Sequence, residues 1–387
     1  MDNIWITGAA RTPIGSHGGA LSTLSATCLG SISVKETLAR AKVSPDEVDE
    51  VIFGNVLSAG LGQNIARQVS IGAGIPDSVP ATSVNKVCGS GLKSVMLATQ
   101  AIQCKDADIV VSGGTESMTR APHVTPTVLN PRRSPEGEPL DVMLRDGLWD
   151  VYNDVHMGTC GDRCAERYGL SRRDQDDFAV ESYKRALAAQ ESGHFAREIT
   201  PVATQSAVFV NDEEPARFNE EKLRNLRPAF GKTGTVSAGN ASSINDGAAS
   251  VVVMSDSARK LSDTTPAARV VGYAIAAREP EWFTLAPITA IRRLLQKTGH
   301  SVGDVDLFEI NEAFSCVPMA AIKELSIPQD RVNAFGGAVA LGHPIGASGC
   351  RILVTLLNAM EVRSAKLGIA SLCIGGGEAI ALAVERT

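Results

Sequence analysis

Apolar positions in this chain follow two rhythms that alternate along its whole length. Short, mostly apolar runs at 51–53 (Val-Ile-Phe), 109–111 (Ile-Val-Val) and 307–310 (Leu-Phe-Glu-Ile) predict buried strands. Amphipathic stretches between such runs predict helices, and strands alternating with helices predict an α/β architecture. The opening stretch at 4–10, Ile-Trp-Ile-Thr-Gly-Ala-Ala, predicts a strand and turn. Glycine clusters follow several of the runs, at Gly113-Gly114, Gly336-Gly337 and Gly375-Gly376-Gly377.

The pattern also repeats. Ser44-Pro-Asp-Glu-Val-Asp49 has a counterpart in Ser301-Val-Gly-Asp-Val-Asp306, each after a helix-like stretch and before a strand. Gly89-Ser-Gly-Leu-Lys93 matches Ala347-Ser-Gly-Cys-Arg351, and Val110-Val-Ser-Gly-Gly-Thr-Glu116 matches Leu372-Cys-Ile-Gly-Gly-Gly-Glu378. The order is the same in both halves, which predicts two similar halves with an active site between them. From about Arg120 to Asn245 the text is more polar, with loop-like stretches from Asn130 to Pro139 and from Asn211 to Pro215, and reads as an insertion into the first half. One helix is predicted inside it, Arg172 to about Glu191, with Asp174, Asp176 and Asp177 in its first turns, where the helix dipole favours acids.

Composition narrows the function. The 387 residues can bury a large core, and 44% hydrophobic with 21% charged residues is ordinary for a globular protein. A net charge of −6 disfavours nucleic acid as a partner. No apolar run approaches the length of a membrane span, and no targeting segment is recognised at either end, so the expected location is cytoplasmic. Of the eight cysteines, Cys160 and Cys164 form a CxxxC without a partner pair, so no metal is expected; disulfides are disfavoured too, and most of these thiols are expected to be buried apolar side chains.

Four places carry chemistry. Cys88 precedes Gly89-Ser-Gly and a predicted helix, whose unpaired N–H groups and dipole favour a thiolate and lower its pKa; a buried cysteine beside a tight turn is the bland alternative. His343 stands in a glycine-flanked turn ahead of another helix, at the repeat counterpart of the Cys88 turn. By contrast His17 and His300 read as surface residues. Cys373 ends an apolar strand before three glycines, which suggest close backbone approach by a ligand. Asn311 follows a strand and, taken alone, reads best as a helix cap.

Together, Asn85-Lys-Val-Cys88-Gly-Ser-Gly, Asn311-Glu-Ala-Phe, Gly342-His343-Pro-Ile-Gly-Ala-Ser-Gly and Cys373-Ile-Gly-Gly-Gly-Glu resemble the four signature motifs of the thiolases, in order and from end to end. The stretches Ala9-Ala-Arg-Thr-Pro-Ile-Gly15, Ser112-Gly-Gly-Thr-Glu-Ser-Met118 and His156-Met-Gly158 match as well. The resemblance implies the thiolase fold: two similar βαβαβ-type halves in a five-layered αβαβα arrangement. It divides the chain into a first half (1–120 plus 246–265), an inserted CoA-binding loop domain (121–245) and a second half (266–387). It also implies a homodimer or homotetramer, and coenzyme A thioesters as substrates without a further cofactor.

By that resemblance Cys88 is acylated, His343 accepts its proton, and Cys373 deprotonates the second acetyl-CoA. The enolate oxygen is held by His343 and a water on Asn311, and the tetrahedral oxyanion by the N–H groups of Cys88 and Gly375. Leu148, His156, Met157, Arg217, Phe230, Ala238, Ser242, Ala313 and Phe314 are assigned to CoA. The implied reaction is reversible condensation of two acetyl-CoA to acetoacetyl-CoA; Asn311 favours that branch over long-chain degradative members. A broader 3-ketoacyl-CoA thiolase and a non-catalytic acyl-CoA carrier are the alternatives.

Three departures matter. Ala216 stands where relatives carry an arginine, with Arg217 next, in a segment one residue shorter. Phe283 stands where relatives carry a methionine that narrows the acyl pocket; it either narrows that pocket too or points away, which leaves the chain-length preference open. Ser243 and Ala379 replace glycines without an evident chemical consequence.

Overall fold

The computed structural model describes residues 3–125, 138–205, 207–262, 264–265 and 267–386. The loop-like stretch from Asn130 to Pro139 therefore lies outside the described residues, except for its last two. The first half comprises β1 (Ile4–Arg11), α1 (Ala26–Ala41), β2 (Glu50–Gly54), α2 (Ile65–Gly72), β3 (Ala81–Val84), α3 (Ser90–Cys104) and β4 (Ile109–Ser117). After α4 (Met157–Tyr168) and α5 (Arg172–Glu191) in the insertion, β5 (Asn245–Ser255) completes its sheet. The second half comprises β6 (Ala268–Ala277), α6 (Ala286–Thr298), β7 (Leu307–Ile310), α7 (Cys316–Leu325), α8 (Ile345–Val362), β8 (Leu367–Ile374) and β9 (Glu378–Glu385).

Both halves use one topology. The first sheet runs β3-β2-β4-β5-β1, with β2 parallel to β3 and β4, and β5 antiparallel to β4 and β1. The second runs β7-β8-β9-β6, and Phe308 of β7 makes a parallel bridge to Val332 where the first half has β3. The sheets meet edge to edge at Trp5–Arg269 and Ile6–Ala268.

The repeat has local causes. Ser44/Glu47 and Ser301/Asp304 form matching capping boxes, and Asp49 and Asp306 each accept two backbone N–H bonds from the start of the neighbouring strand. The first half differs at one point. Where β8 turns into β9 through three glycines, the chain between Ser117 and Asn245 makes the whole inserted excursion before pairing back.

Strand side chains alternate between two buried faces, which makes the apolar runs continuous. Ile52, Val110 and Leu372 join a central core with α3 and α8. Val51, Phe53 and Val111 pack under α1 and α2, and Phe308 and Cys373 join the core under α6 and α7. Helix, sheet, helix, sheet and helix are thereby stacked. In the middle layer α3 crosses α8 at glycines: a Cβ on Gly91 would lie 2.8 Å from the Cys350 nitrogen, and one on Gly349 would lie 2.4 Å from the Leu92 nitrogen. Helix α8 corrects one expectation, since its mean hydropathy of 1.3 over 18 residues reaches that of a membrane-crossing helix. Its apolar surface goes into the protein core, not lipid, because sheets cover it on both sides.

Other local expectations hold or shift. Helix α5 spans Arg172–Glu191, started by a Ser171/Asp174 capping box. The N-terminal strand continues through Arg11 without a turn. Six cysteines are buried, and Cys28 and Cys104 are exposed.

Arg11 clamps the insertion to β1. Fully buried, it donates to Glu198 at 2.5 Å and to both oxygens of Asp212 at 2.7 and 2.9 Å. Removing one partner of a buried charge cluster strands the others. Arg11→Met is therefore expected to lower stability by about 3–5 kcal/mol, read as a lower midpoint in chemical denaturation.

Candidate active site

The two repeated helix starts converge on one cavity of about 460 Å³. Cys88 sits two residues before α3 and His343 two before α8; both line the cavity. All nine residues assigned to CoA, and Phe283, line the same space. A larger cavity of about 590 Å³ lies elsewhere, beside Arg40, Arg197 and Arg386, and holds none of them. Chemistry, not volume, selects the site.

The Cys88 loop is held by its own side chains. Asn85 Oδ1 accepts from the Val87 N–H, and Ser90 Oγ accepts from the Lys86 N–H while donating to the Val87 carbonyl. These bonds keep Val87 at φ 45°, a costly conformation for a β-branched residue, directly before the cysteine. Lys86 pairs with Glu378 and ties this loop to the one after Cys373. The backbone N–H groups of Gly375 and of Cys88 face the Cys88 sulfur and favour the thiolate. Burial outweighs them and pushes the thiol up to about 11, correcting the expectation of a lowered value. Gly375 leaves no room for a side chain: a Cβ there would lie 2.3 Å from Met157 Cε.

His343 is fixed at its backbone and at one ring nitrogen. Its N–H donates to Asn245 Oδ1 at 2.9 Å, and that oxygen also accepts from Ser243 Oγ at 2.8 Å. The serine that replaces a family glycine thus supports the histidine, a consequence invisible in the sequence. Ser348 Oγ donates to the Pro344 carbonyl at 2.8 Å and stands 2.6 Å from His343 Nδ1. Assigned from this network, Nδ1 carries the proton and donates to Ser348, leaving Nε2 a bare acceptor. Nε2 has no partner among the described residues. Burial, then the nearby Arg351 charge, lowers the imidazole to about 3, so it rests neutral and able to take a proton. Glu116 anchors the start of α8 from the first half, accepting from the N–H groups of Val56, Leu57 and Gly346 and from Asn55.

Asn311 is not a helix cap; Ser315 takes the cap position before α7. Its Nδ2 stands 3.5 Å from His343 Nδ1, and its Oδ1 accepts from Arg351 at 3.2 Å. Cys373 lies behind the cavity lining, 1% exposed, in the core that also holds Phe283 and Phe314. Burial raises its thiol well above the ordinary range, and charge on Cys88 raises it further.

Toward the mouth, Ser242 donates both N–H and Oγ to the Ala313 carbonyl, and His156 stacks on Phe230 with centroids 4.4 Å apart. Nδ1 of His156 caps α4 by accepting from the Gly158 N–H. That helix escaped the sequence reading, though Cys160, Cys164, Ala165 and Tyr168 mark one apolar face. Arg217 ends a short 3-10 turn, largely exposed and 3.9 Å from Glu213. His17, read as a surface residue, is exposed yet lines this mouth with Glu214. Among the described residues no cluster of three or more His, Cys, Asp or Glu could hold a metal ion.

Two equivalent halves that aim a cysteine and a neutral histidine into one apolar channel define an enzyme of nucleophilic acyl transfer. Sequence models of the thiolase N-terminal domain and C-terminal domain match residues 4–257 and 264–386. The chain is 49% identical to the acetyl-CoA acetyltransferase of Allochromatium vinosum, covering 100% of this chain and 99% of that protein. It is 49% identical to that of Cupriavidus necator, covering 100% of both, and 48% identical to a probable acetyl-CoA acetyltransferase of Escherichia coli, again over 100% of both. The crystal structure of the Acat5 thiolase from Ascaris suum in complex with coenzyme A superposes with a TM-score of 0.94 at 44% identity, covering 100% of each chain. The chain belongs to the thiolase family.

Proposed function

We propose that this protein is an acetyl-CoA C-acetyltransferase, which reversibly joins two acetyl-CoA into acetoacetyl-CoA and CoA. The observation that carries the reading is the convergence of Cys88, His343 and the predicted channel residues on one cavity, with two N–H groups aimed at the sulfur. Relatives named for this activity match along the whole chain.

The chemistry follows from the resting proton positions. Both thiols and the imidazole rest neutral, so Cys88 gives its proton to His343 Nε2 as sulfur attacks the thioester carbonyl. The tetrahedral oxyanion sits against the N–H groups of Cys88 and Gly375. Its collapse breaks the bond to CoA, whose sulfur takes a proton from Cys373. This leaves acetyl-Cys88, a Cys373 thiolate and a protonated His343. The thiolate removes a methyl proton from a second acetyl-CoA, and the enolate oxygen is met by His343 Nε2–H and a water on Asn311. The enolate carbon attacks the acetyl group, Cys88 sulfur leaves, and His343 returns its proton.

Phe283 lines the cavity and sets its ring against Phe314 with centroids 6.5 Å apart, closing space that a longer acyl chain needs. Thiolysis of acetoacetyl-CoA is therefore expected to exceed that of longer 3-ketoacyl-CoAs at least about tenfold, with Phe283→Ala reducing that margin by about tenfold. Faster turnover of longer substrates by the unaltered enzyme moves the reading to a broad-range thiolase. Absence of any thiolysis from folded protein moves it to the carrier.

A further inference from the structure

Behind Asn311 lies a buried cation that the mechanism above does not use. Arg351, on the second turn of α8, is 1% exposed. Its nearest carboxylate, Glu309 Oε2 on β7, is 3.9 Å away, beyond a good hydrogen bond. Nε and Nη1 of Arg351 and Oε1 of Glu309 have no hydrogen-bond partner among the described residues. Among the described residues, the one good bond the guanidinium makes to another side chain is Nη2 to Asn311 Oδ1 at 3.2 Å. A charge this buried and this loosely neutralised is expensive, and packing does not explain it, because an apolar side chain of similar volume fills the same space.

Its geometry does suggest a use. An amide bound through its oxygen on one side must present its nitrogen on the other. Arg351 holds Oδ1, so Nδ2 turns toward His343, 3.5 Å from the ring. The amide nitrogen is thereby the group left to hold the water that serves the enolate oxygen. Turned the other way, the amide would offer an acceptor to a developing anion and point its N–H groups at a guanidinium.

Resting on the condensation reading above, we infer that Arg351 is a positioning residue for the carbon–carbon bond-forming half of the reaction. It orients the Asn311 amide as a donor and sets a fixed positive charge behind the place where enolate charge develops. Burial and the Asn311 bond preserve that field from water screening. The other half-reaction, acetyl transfer between CoA and Cys88, holds its oxyanion on the N–H groups of Cys88 and Gly375, on the other loop pair, and meets Arg351 only through its charge on the His343 imidazole, whose removal makes that base stronger. Burial pushes the Glu309 carboxyl up to about 8 despite the Arg351 charge, which agrees with a cation left largely unpaired near neutral pH.

The two half-reactions separate this role from a merely structural one. Exchange of labelled CoA into acetyl-CoA reports acetyl transfer alone; acetoacetyl-CoA thiolysis, which releases the enolate, reports the other half. Arg351→Met is expected to lower thiolysis kcat by about a hundredfold, with KM within twofold and CoA exchange slowed by no more than about threefold. Arg351→Lys, which keeps the charge and one donor, should recover part of the loss. Combining Arg351→Met with Asn311→Ala should cost less than the product of the two single losses, because both act in part through one amide. If Arg351→Met unfolds the protein, Glu309→Leu/Arg351→Met replaces both buried polar groups by apolar ones and takes the same measurements. Parallel loss of exchange and thiolysis in folded variants, or loss of neither, overturns the inference. Failure of the unaltered enzyme to perform either reaction would instead overturn the condensation reading itself.

Discussion

Cys88→Ala keeps its fold and loses at least about four orders of magnitude in turnover, with no acetyl group retained on incubation with acetyl-CoA. The loss is this large because the two N–H groups facing Cys88 and the bare Nε2 of His343 have no other nucleophile to serve. Intact-mass measurement on both proteins checks the adduct, and thiolysis of acetoacetyl-CoA checks the rate. A second signature tests the resting protonation state. In the free enzyme the thiol, ordinarily near 9, is pushed up to about 11 by burial. Its alkylation by iodoacetamide should then rise about tenfold per pH unit from 7 to 10 without a plateau. A plateau near neutrality would mean that the thiolate already forms at rest and that His343 holds its proton before substrate arrives. Acylation would then start from an ion pair, not from two neutral groups.

Why Cys88 was legible as a nucleophile while its pKa was not is a matter of range. The helix start and glycine turn are local, so sequence shows them. Desolvation sums contributions from Met157, the glycine loop after Cys373 and the start of α8, which lie far apart in the chain. The same divide runs through the fold. The repeat was readable because its capping boxes and strand-start aspartates act over a few residues, and α5 because its cap and first-turn acids are contiguous. Helix α4 was passed over because a histidine Nδ1, an uncommon cap, begins it. Ser243, Arg351 and His17 gave no signal, since each gains its role only from a group far off in the chain, His343 for Ser243 and Asn311, 40 residues away, for Arg351, or from lining a cavity that folding creates. Ser243 reaches His343 through Asn245, so a substitution that looks silent in a motif bears on the base.

Cys373 is the test of whether two cysteines divide the work. Cys373→Ala is expected to lose about two to four orders of magnitude in condensation and thiolysis, the range for removing a general base. It should still acetylate Cys88, more slowly, because the leaving CoA sulfur then takes its proton from water or His343. Acetyl-Cys88 should therefore accumulate on Cys373→Ala and resist transfer to a second acetyl-CoA. His343→Ala provides the contrast. It removes the group that takes the Cys88 proton as well as a donor to the enolate, so acetylation and condensation should fall together. The distinction rests on position. Cys373 is buried in the core that also holds Phe283 and Phe314, which line the cavity, while His343 and Cys88 line it themselves. Acetylation lost in Cys373→Ala to the same degree as condensation would place Cys373 on the path of the first proton. The methyl proton would then have to leave toward His343, which only a bare Nε2 could accept, and the order of proton transfers would reverse.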